Sequence, residues 1–218
     1  MNLTLEIQAT LTITGAGMLS LDGRCKALDV LADGYVRGEA VAALLLRALG
    51  PSAPASGADL LLLGSAVNQD GRSSSLTAPN GPAQQVVMRA ALRSKGIGGG
   101  SVAAIQLHGT GTALGDPIEA GALRAVLLRG GGAAPLAIGA LKSATGHTEP
   151  LAGLLGLLQV TLDLTRGALS PIQHFRHPSP LVLDALGVDA RPWFVPRAVA
   201  ASPVVGAAGT TRVGGVSR

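Results

Sequence analysis

The chain has a single cysteine, Cys25, among its 218 residues, so no internal disulfide is possible and a reducing compartment suits it. Aromatic side chains make up only 2% of the sequence and charged ones 14%. A core short of aromatics must be built from Ala, Leu and Val, which suits close packing of helices on a sheet. With 47% hydrophobic residues the low charge also argues against disorder. The net charge is +4 and the pI near 10.0, but the basic residues are scattered, with no run of five or six and no aromatic interleaving. That distribution speaks against a nucleic-acid partner. The start, Met1-Asn2-Leu3-Thr4-Leu5-Glu6, has no basic segment and does not read as a secretory signal. The most apolar stretch, 151–164, is too short for a membrane span and is interrupted by Gln159, Thr161 and Asp163. A soluble chain is expected, in the cytoplasm or an organelle, with no membrane contact, no metal and no bound cofactor.

What is present is an alternation of elements. Leu3, Leu5, Ile7, Leu11 and Ile13 follow a period that predicts a half-buried strand. Asp22-Gly23 and Asp33-Gly34 mark turns, and residues 36–49 fit either a strand or a buried helix. Residues 51–57, rich in Pro, Ser and Ala, are the best linker candidate. Residues 60–67 form a continuous apolar run, as expected of a strand covered on both faces. A helix is predicted over 82–95, a strand over 102–107, a helix from 116 to about 129, a strand over 136–141, and a helix over 151–166 closed by Gly167. This order is that of a parallel α/β sheet. Beyond Ser170 six prolines punctuate the sequence, which reads as a wrapping tail with few regular elements.

Two histidines end two of these strand runs. His108 opens His108-Gly109-Thr110-Gly111-Thr112, and His147 closes Lys142-Ser143-Ala144-Thr145-Gly146-His147. In open α/β sheets ligands bind beyond the carboxyl ends of the strands. Glycine there lets backbone approach a ligand, and threonine adds hydroxyl donors. Two neutral imidazoles aimed at one oxygen would stabilise developing negative charge. Asp116 and Glu119, in Asp116-Pro117-Ile118-Glu119, read as a helix cap and its reciprocal glutamate. Asn68, Asp70 and Asn80 read as turn residues.

Ordered motifs run through the rest: Gly17-Met18-Leu19-Ser20, Asp22-Gly23-Arg24-Cys25-Lys26, Asp33-Gly34-Tyr35-Val36-Arg37-Gly38-Glu39, and Gly64-Ser65-Ala66-Val67-Asn68-Gln69-Asp70-Gly71-Arg72. They continue with Leu76-Thr77-Ala78-Pro79-Asn80-Gly81-Pro82, the His108 loop through Gly115-Asp116-Pro117-Ile118-Glu119, Lys142-Ser143 and Gly146-His147 with Glu149. Across residues 15–180 the chain resembles the β-ketoacyl synthase (ketosynthase) domains of type I polyketide synthases. The His108 motif and residues 68–82 disfavour a thiolase.

The resemblance implies an incomplete α/β fold of the thiolase-like class, the second half of the layered α/β/α ketosynthase fold. Residues 1–57 would be the end of the N-terminal half, 58–170 the C-terminal half, and 171–218 a truncated Pro-rich extension. It implies loop and short helix near the start in place of the strand. It also implies the decarboxylative Claisen condensation of acyl and malonyl thioesters in polyketide or fatty acid biosynthesis. The substrates would be carried on the phosphopantetheine of an acyl carrier protein. His108 and His147 match the pair that stabilises the enolate, and Lys142 the lysine that orders the second histidine. A Lys142–Glu149 contact is expected. Thr110 and Thr112 would hold either the loop or the pantetheine arm.

The family nucleophile lies in a Thr-Ala-Cys-Ser-Ser segment that this sequence lacks, and Cys25 matches a different position. Ala144-Thr145 replaces the usual Asn-Ile, Pro150 stands where Ala is common, and a Phe/Gly-rich strand after Ser217 is missing. Condensation is therefore expected to fail in this chain alone. The alternative is a non-catalytic module that binds acyl carrier protein or a complementary half. A homodimer or such a complementary pairing is expected.

Overall fold

The computed structural model describes residues 1–48, 60–73, 78–128, 134–187, 192–198, 200–201 and 213–216. The linker expected at 51–57 lies outside them. The helices are α1 (Ile7–Gly15), α2 (Gly81–Arg93), α3 (Gly115–Leu123), α4 (Lys142–Thr145), α5 (Ala152–Arg166) and α6 (Pro180–Leu186). The strands are β1 (Val102–Gln106), β2 (Leu136–Gly139), β3 (Ala168–Leu169), β4 (Trp193–Phe194), β5 (Ala200–Ala201) and β6 (Val213–Val216).

A four-stranded sheet in the order β4-β2-β1-β6 carries the fold, and every pair in it is parallel. β1 and β2 pair Ala104 with Ala137 and Gln106 with Gly139, so both strands end side by side. All five residues of β1 are buried, as a parallel strand covered on both faces must be. Val102, Ile105, Leu136 and Ile138 join Leu123, Leu127, Val182 and Leu186 in the main core. Ala104 and Ala137 belong to a smaller cluster with Leu169 and Phe194. α5 packs along β1 and β6, while α3 packs against both α2 and α6.

The local rules hold for several helices. Asn80 caps α2 by accepting from the Ala83 N–H at 3.1 Å, a more specific task than the turn it was read as. α5 follows a 3-10 turn at Glu149–Leu151 that contains Pro150, and it ends at Gly167 with φ +64 in the left-handed region. α3 runs on as a π-helical turn, Arg124–Leu128.

Four expectations need correction. The early alternation is not a strand, because residues 7–15 are α1, and that helix buries none of its side chains. Residues 36–48 form neither strand nor buried helix and make only single bridges at Arg37 and Ala40. The apolar run 60–67 is no strand either, with Leu61, Leu62 and Val67 all exposed. Apolar content marks a segment that can be buried, but a ladder also needs a partner strand, and none pairs with 60–67 among the described residues. The Pro-rich tail, expected to be irregular, supplies β4 and β6, the two outer strands of the main sheet.

Residues 17–40 lie against the sheet's carboxyl end. Ala27 and Leu28 are in the main core, the Gly34 N–H donates to Gly111 O at 2.9 Å, and Arg37 bridges to His147.

Candidate active site

β1 delivers His108 to the rim of the sheet, its predecessor Leu107 still tied by an N–H bond of 2.8 Å to Gly139 O. The turn after it would leave donors unpaired, and two carboxylates from α3 take them. Glu119 accepts from the N–H groups of His108 (2.7 Å) and Gly109 (3.0 Å). Asp116 accepts from Leu28 N–H (2.7 Å) and Gly111 N–H (3.2 Å). Neither acid acts as the cap read from the sequence: α3 begins at Gly115, whose N–H donates to the Thr112 hydroxyl at 3.1 Å. Thr112 thus serves the loop, and Thr110 is buried with its hydroxyl 3.4 Å from that of Thr112.

β2 delivers Lys142 through the single turn α4, and Gly146 then reverses the chain with φ +71. A Cβ at Gly146 would stand 3.1 Å from Val36 O, so glycine is required both by conformation and by the closeness of residues 36–38. His147 is pinned there, its N–H donating to Val36 O (2.7 Å) and its carbonyl accepting from Gly38 N–H (2.9 Å).

The two imidazoles meet edge to face, with ring centroids 5.1 Å apart and planes at 86°. Tyr35 packs on the other side of His147, centroids 5.0 Å apart. The Glu149 N–H donates to His147 Nδ1 at 3.0 Å, so in the neutral state that ring carries its proton on Nε2. Lys142 Nζ lies 3.4 Å from His108 Nδ1. Two adjacent imidazoles that can each offer an N–H suit an oxyanion.

Lys142 is buried and donates to His108 O at 2.6 Å as well. The expected Lys142–Glu149 contact is corrected here. Glu149 pairs with Arg37, Nε to Oε1 at 2.8 Å, and the hydrogen bonds described for Lys142 are to His108. Proximity in sequence suggested the pair, but Glu149 adopts φ +47, and its carboxylate meets a residue 112 positions away.

Cys25 is 1% exposed, and its sulfur accepts from Val36 N–H at 3.2 Å. Burial pushes the thiol above its ordinary pKa, the opposite of what a nucleophile needs. Among the described residues no group of three or more His, Cys, Asp or Glu could hold a metal ion, and no helix is long and apolar enough to cross a membrane.

Sequence reasoning missed Arg37 and Tyr35 as site residues. They stand in the quoted Asp33-to-Glu39 motif.

The family model for the C-terminal domain of β-ketoacyl synthase matches residues 61–176, more than half of the chain, and the one for its N-terminal domain matches residues 1–51. The spectinabilin polyketide synthase system protein NorA' of Streptomyces orinoci is 48% identical over 183 residues, 80% of this chain and 5% of that protein. One component of the phenolphthiocerol/phthiocerol polyketide synthase of Mycobacterium tuberculosis is 43% identical over 197 residues, 89% of this chain and 12% of that one. The chain thus spans a small fraction of these relatives. The ketosynthase from module 6 of the bacillaene synthase of Bacillus subtilis 168 superposes with a TM-score of 0.78 at 31% identity, covering 96% of this chain and 37% of that one. The oxazolomycin ketosynthase domain OzmH KS7 of Streptomyces albus JA3453 gives 0.77 at 28% identity, covering 92% and 34%. Matched in order by both domain models and superposed on solved ketosynthases, the chain belongs to the β-ketoacyl synthase family and has its thiolase-like α/β fold.

Proposed function

We propose that this chain is the oxyanion-binding part of a polyketide ketosynthase, with His108 and His147 as its catalytic residues. The observation that carries the reading is the pair of adjacent imidazoles, with His147 Nδ1 accepting from the Glu149 N–H and His108 Nδ1 facing Lys142 Nζ, so that Nε2–H can serve as the donor of each. In a malonyl thioester the thioester oxygen would lie between these two N–H groups. The bond from the α-carbon to the carboxylate breaks, its electron pair forms the enolate, and carbon dioxide leaves. Two hydrogen bonds strengthen as charge moves onto that oxygen, and losing one such donor typically costs about 2.7–4 kcal/mol, or 10²–10³ in rate.

Lys142 supports His108 from behind, its Nζ within reach of both the ring Nδ1 and the backbone carbonyl of that residue. Thr110 and Thr112 shape the loop, and either could also meet a pantetheine arm delivered by an acyl carrier protein. Condensation needs a thiolate to hold the acyl group, and the buried Cys25 is unsuited to the task. In this chain alone the enolate would take a proton from water and leave an acetyl thioester.

Malonyl thioester on acyl carrier protein, incubated with the purified chain, should release carbon dioxide slowly and give acetyl but no ketoacyl product. His108→Ala and His147→Ala should each lower that release by 10²–10³. A ketoacyl product would refute the assignment of Cys25. Release unaffected by either substitution would refute the histidine roles. The buried Cys25 also favours a second reading, a non-catalytic module that binds carrier protein. Carrier-protein binding with no turnover in the same assay would select it.

A further inference from the structure

The second histidine is held by a residue that the chemistry above does not use. Arg37 stands opposite His147 in a parallel bridge. Its guanidinium grips Glu149 with both ends of the fork, Nε to Oε1 at 2.8 Å and Nη2 to Oε2 at 3.2 Å. The remaining nitrogen, Nη1, donates to the Thr10 hydroxyl at 2.7 Å. The side chains of Arg37 and Glu149 are 11% and 28% exposed, so the pair is partly shielded from water. Glu149 itself sits at φ +47, a region costly for a residue with a Cβ. In that conformation its backbone N–H reaches His147 Nδ1.

We propose that Arg37 is the positioning residue of His147: its two-pronged hold on Glu149 keeps that residue in the left-handed turn, so that the Glu149 N–H fixes the ring as its Nε2–H tautomer. The planar fork suits the task because it sets the direction of the carboxylate as well as its distance, which a lysine ammonium cannot do. The rings of His108 and Tyr35 also touch His147, and Lys142 stands behind His108. Competence of the second histidine then depends on residues from the first half of the chain, Thr10 and Arg37, being docked.

Arg37 gains catalytic meaning only if His147 is a donor to substrate, so the tautomer is read directly and turnover separately. In the full chain, labelled at histidine nitrogen and carbon, NMR should show His147 as a single Nε2–H tautomer at neutral pH. Arg37→Met should shift its tautomer ratio by roughly tenfold, the equivalent of one net hydrogen bond, and leave His108 unchanged. Arg37→Lys keeps the charge and loses the fork. It should fall between the two, and it carries the test if Arg37→Met does not fold. A His147 tautomer unchanged in a folded variant overturns the proposal, as does an equal disturbance of His108, which would mean general loosening. A selective shift at His147 in a chain that releases no carbon dioxide would sink the proposed function and leave the role of Arg37 standing.

Discussion

Glu119 accepts from two consecutive backbone N–H groups at the end of a strand, and the place of His108 depends on it. A glutamine there has one acceptor oxygen, and its amide would face the second N–H. Leaving a buried donor unpaired costs about 1–3 kcal/mol. Glu119→Gln should therefore lower the stability measured by urea unfolding by that amount and slow carbon dioxide release from the malonyl thioester. An unchanged midpoint would show that water replaces the lost acceptor. Three residues of the site were legible without coordinates: His108, His147 and Lys142 stand in glycine-rich turns after apolar runs, and such turns gather at one rim of a parallel sheet. The work of the acids was not legible. Asp116 and Glu119 fit a local capping pattern, and nothing local reveals that Leu28, 88 residues away, donates to Asp116. Likewise the partner of Glu149 is chosen by a left-handed turn, a backbone fact that charge spacing does not carry.

Among the elements, α3 holds the most consequential ionisable group. Asp116 is 2% exposed on its first turn. Burial pushes its carboxyl up to about 6, with Leu28 N–H pulling it down, Glu119 pushing it up, and the N–H groups of Gly111 and Thr112 pulling it down. The folded state then holds this proton more tightly than the unfolded chain, where an aspartate titrates near 3.8. The stability it contributes is present below about pH 4 and is lost as pH rises through about 6, about 3 kcal/mol at most. Urea unfolding of the parent and of Asp116→Asn between pH 4 and 7 checks this. The parent should lose stability relative to the variant as pH rises, and a constant difference would remove Asp116 as the source. The helices α2, α3 and α5 and the central strands β1 and β2 were readable because their apolar periods and the prolines and glycines at their ends are local. β4 and β6 were not, since one is a short piece between prolines and the other has two glycines inside it, and each is made a strand only by β2 or β1 beside it. The run 60–67 shows the converse, apolar enough for a strand but without a ladder.

For the whole molecule, the distribution of exposed apolar side chains is the telling quantity. Leu5, Leu21, Leu45 and Val67 are each at least 84% exposed, and α1 buries nothing. Apolar side chains left open to water in this way are the ground for a prediction about association. The chain should self-associate at micromolar concentration or bind a complementary ketosynthase half, and sedimentation of the purified protein reads this directly. A clean monomer that stays soluble would contradict it.

The placement of β6 also governs when the molecule can finish folding. Val213 pairs with Val102, more than a hundred residues earlier, so that side of the sheet closes only after a very long loop. Loops of that length close slowly, because their entropy must be lost before any contact repays it. During synthesis β1 would leave the ribosome with one flank open, and the histidine rim would wait, half-built, until β6 followed.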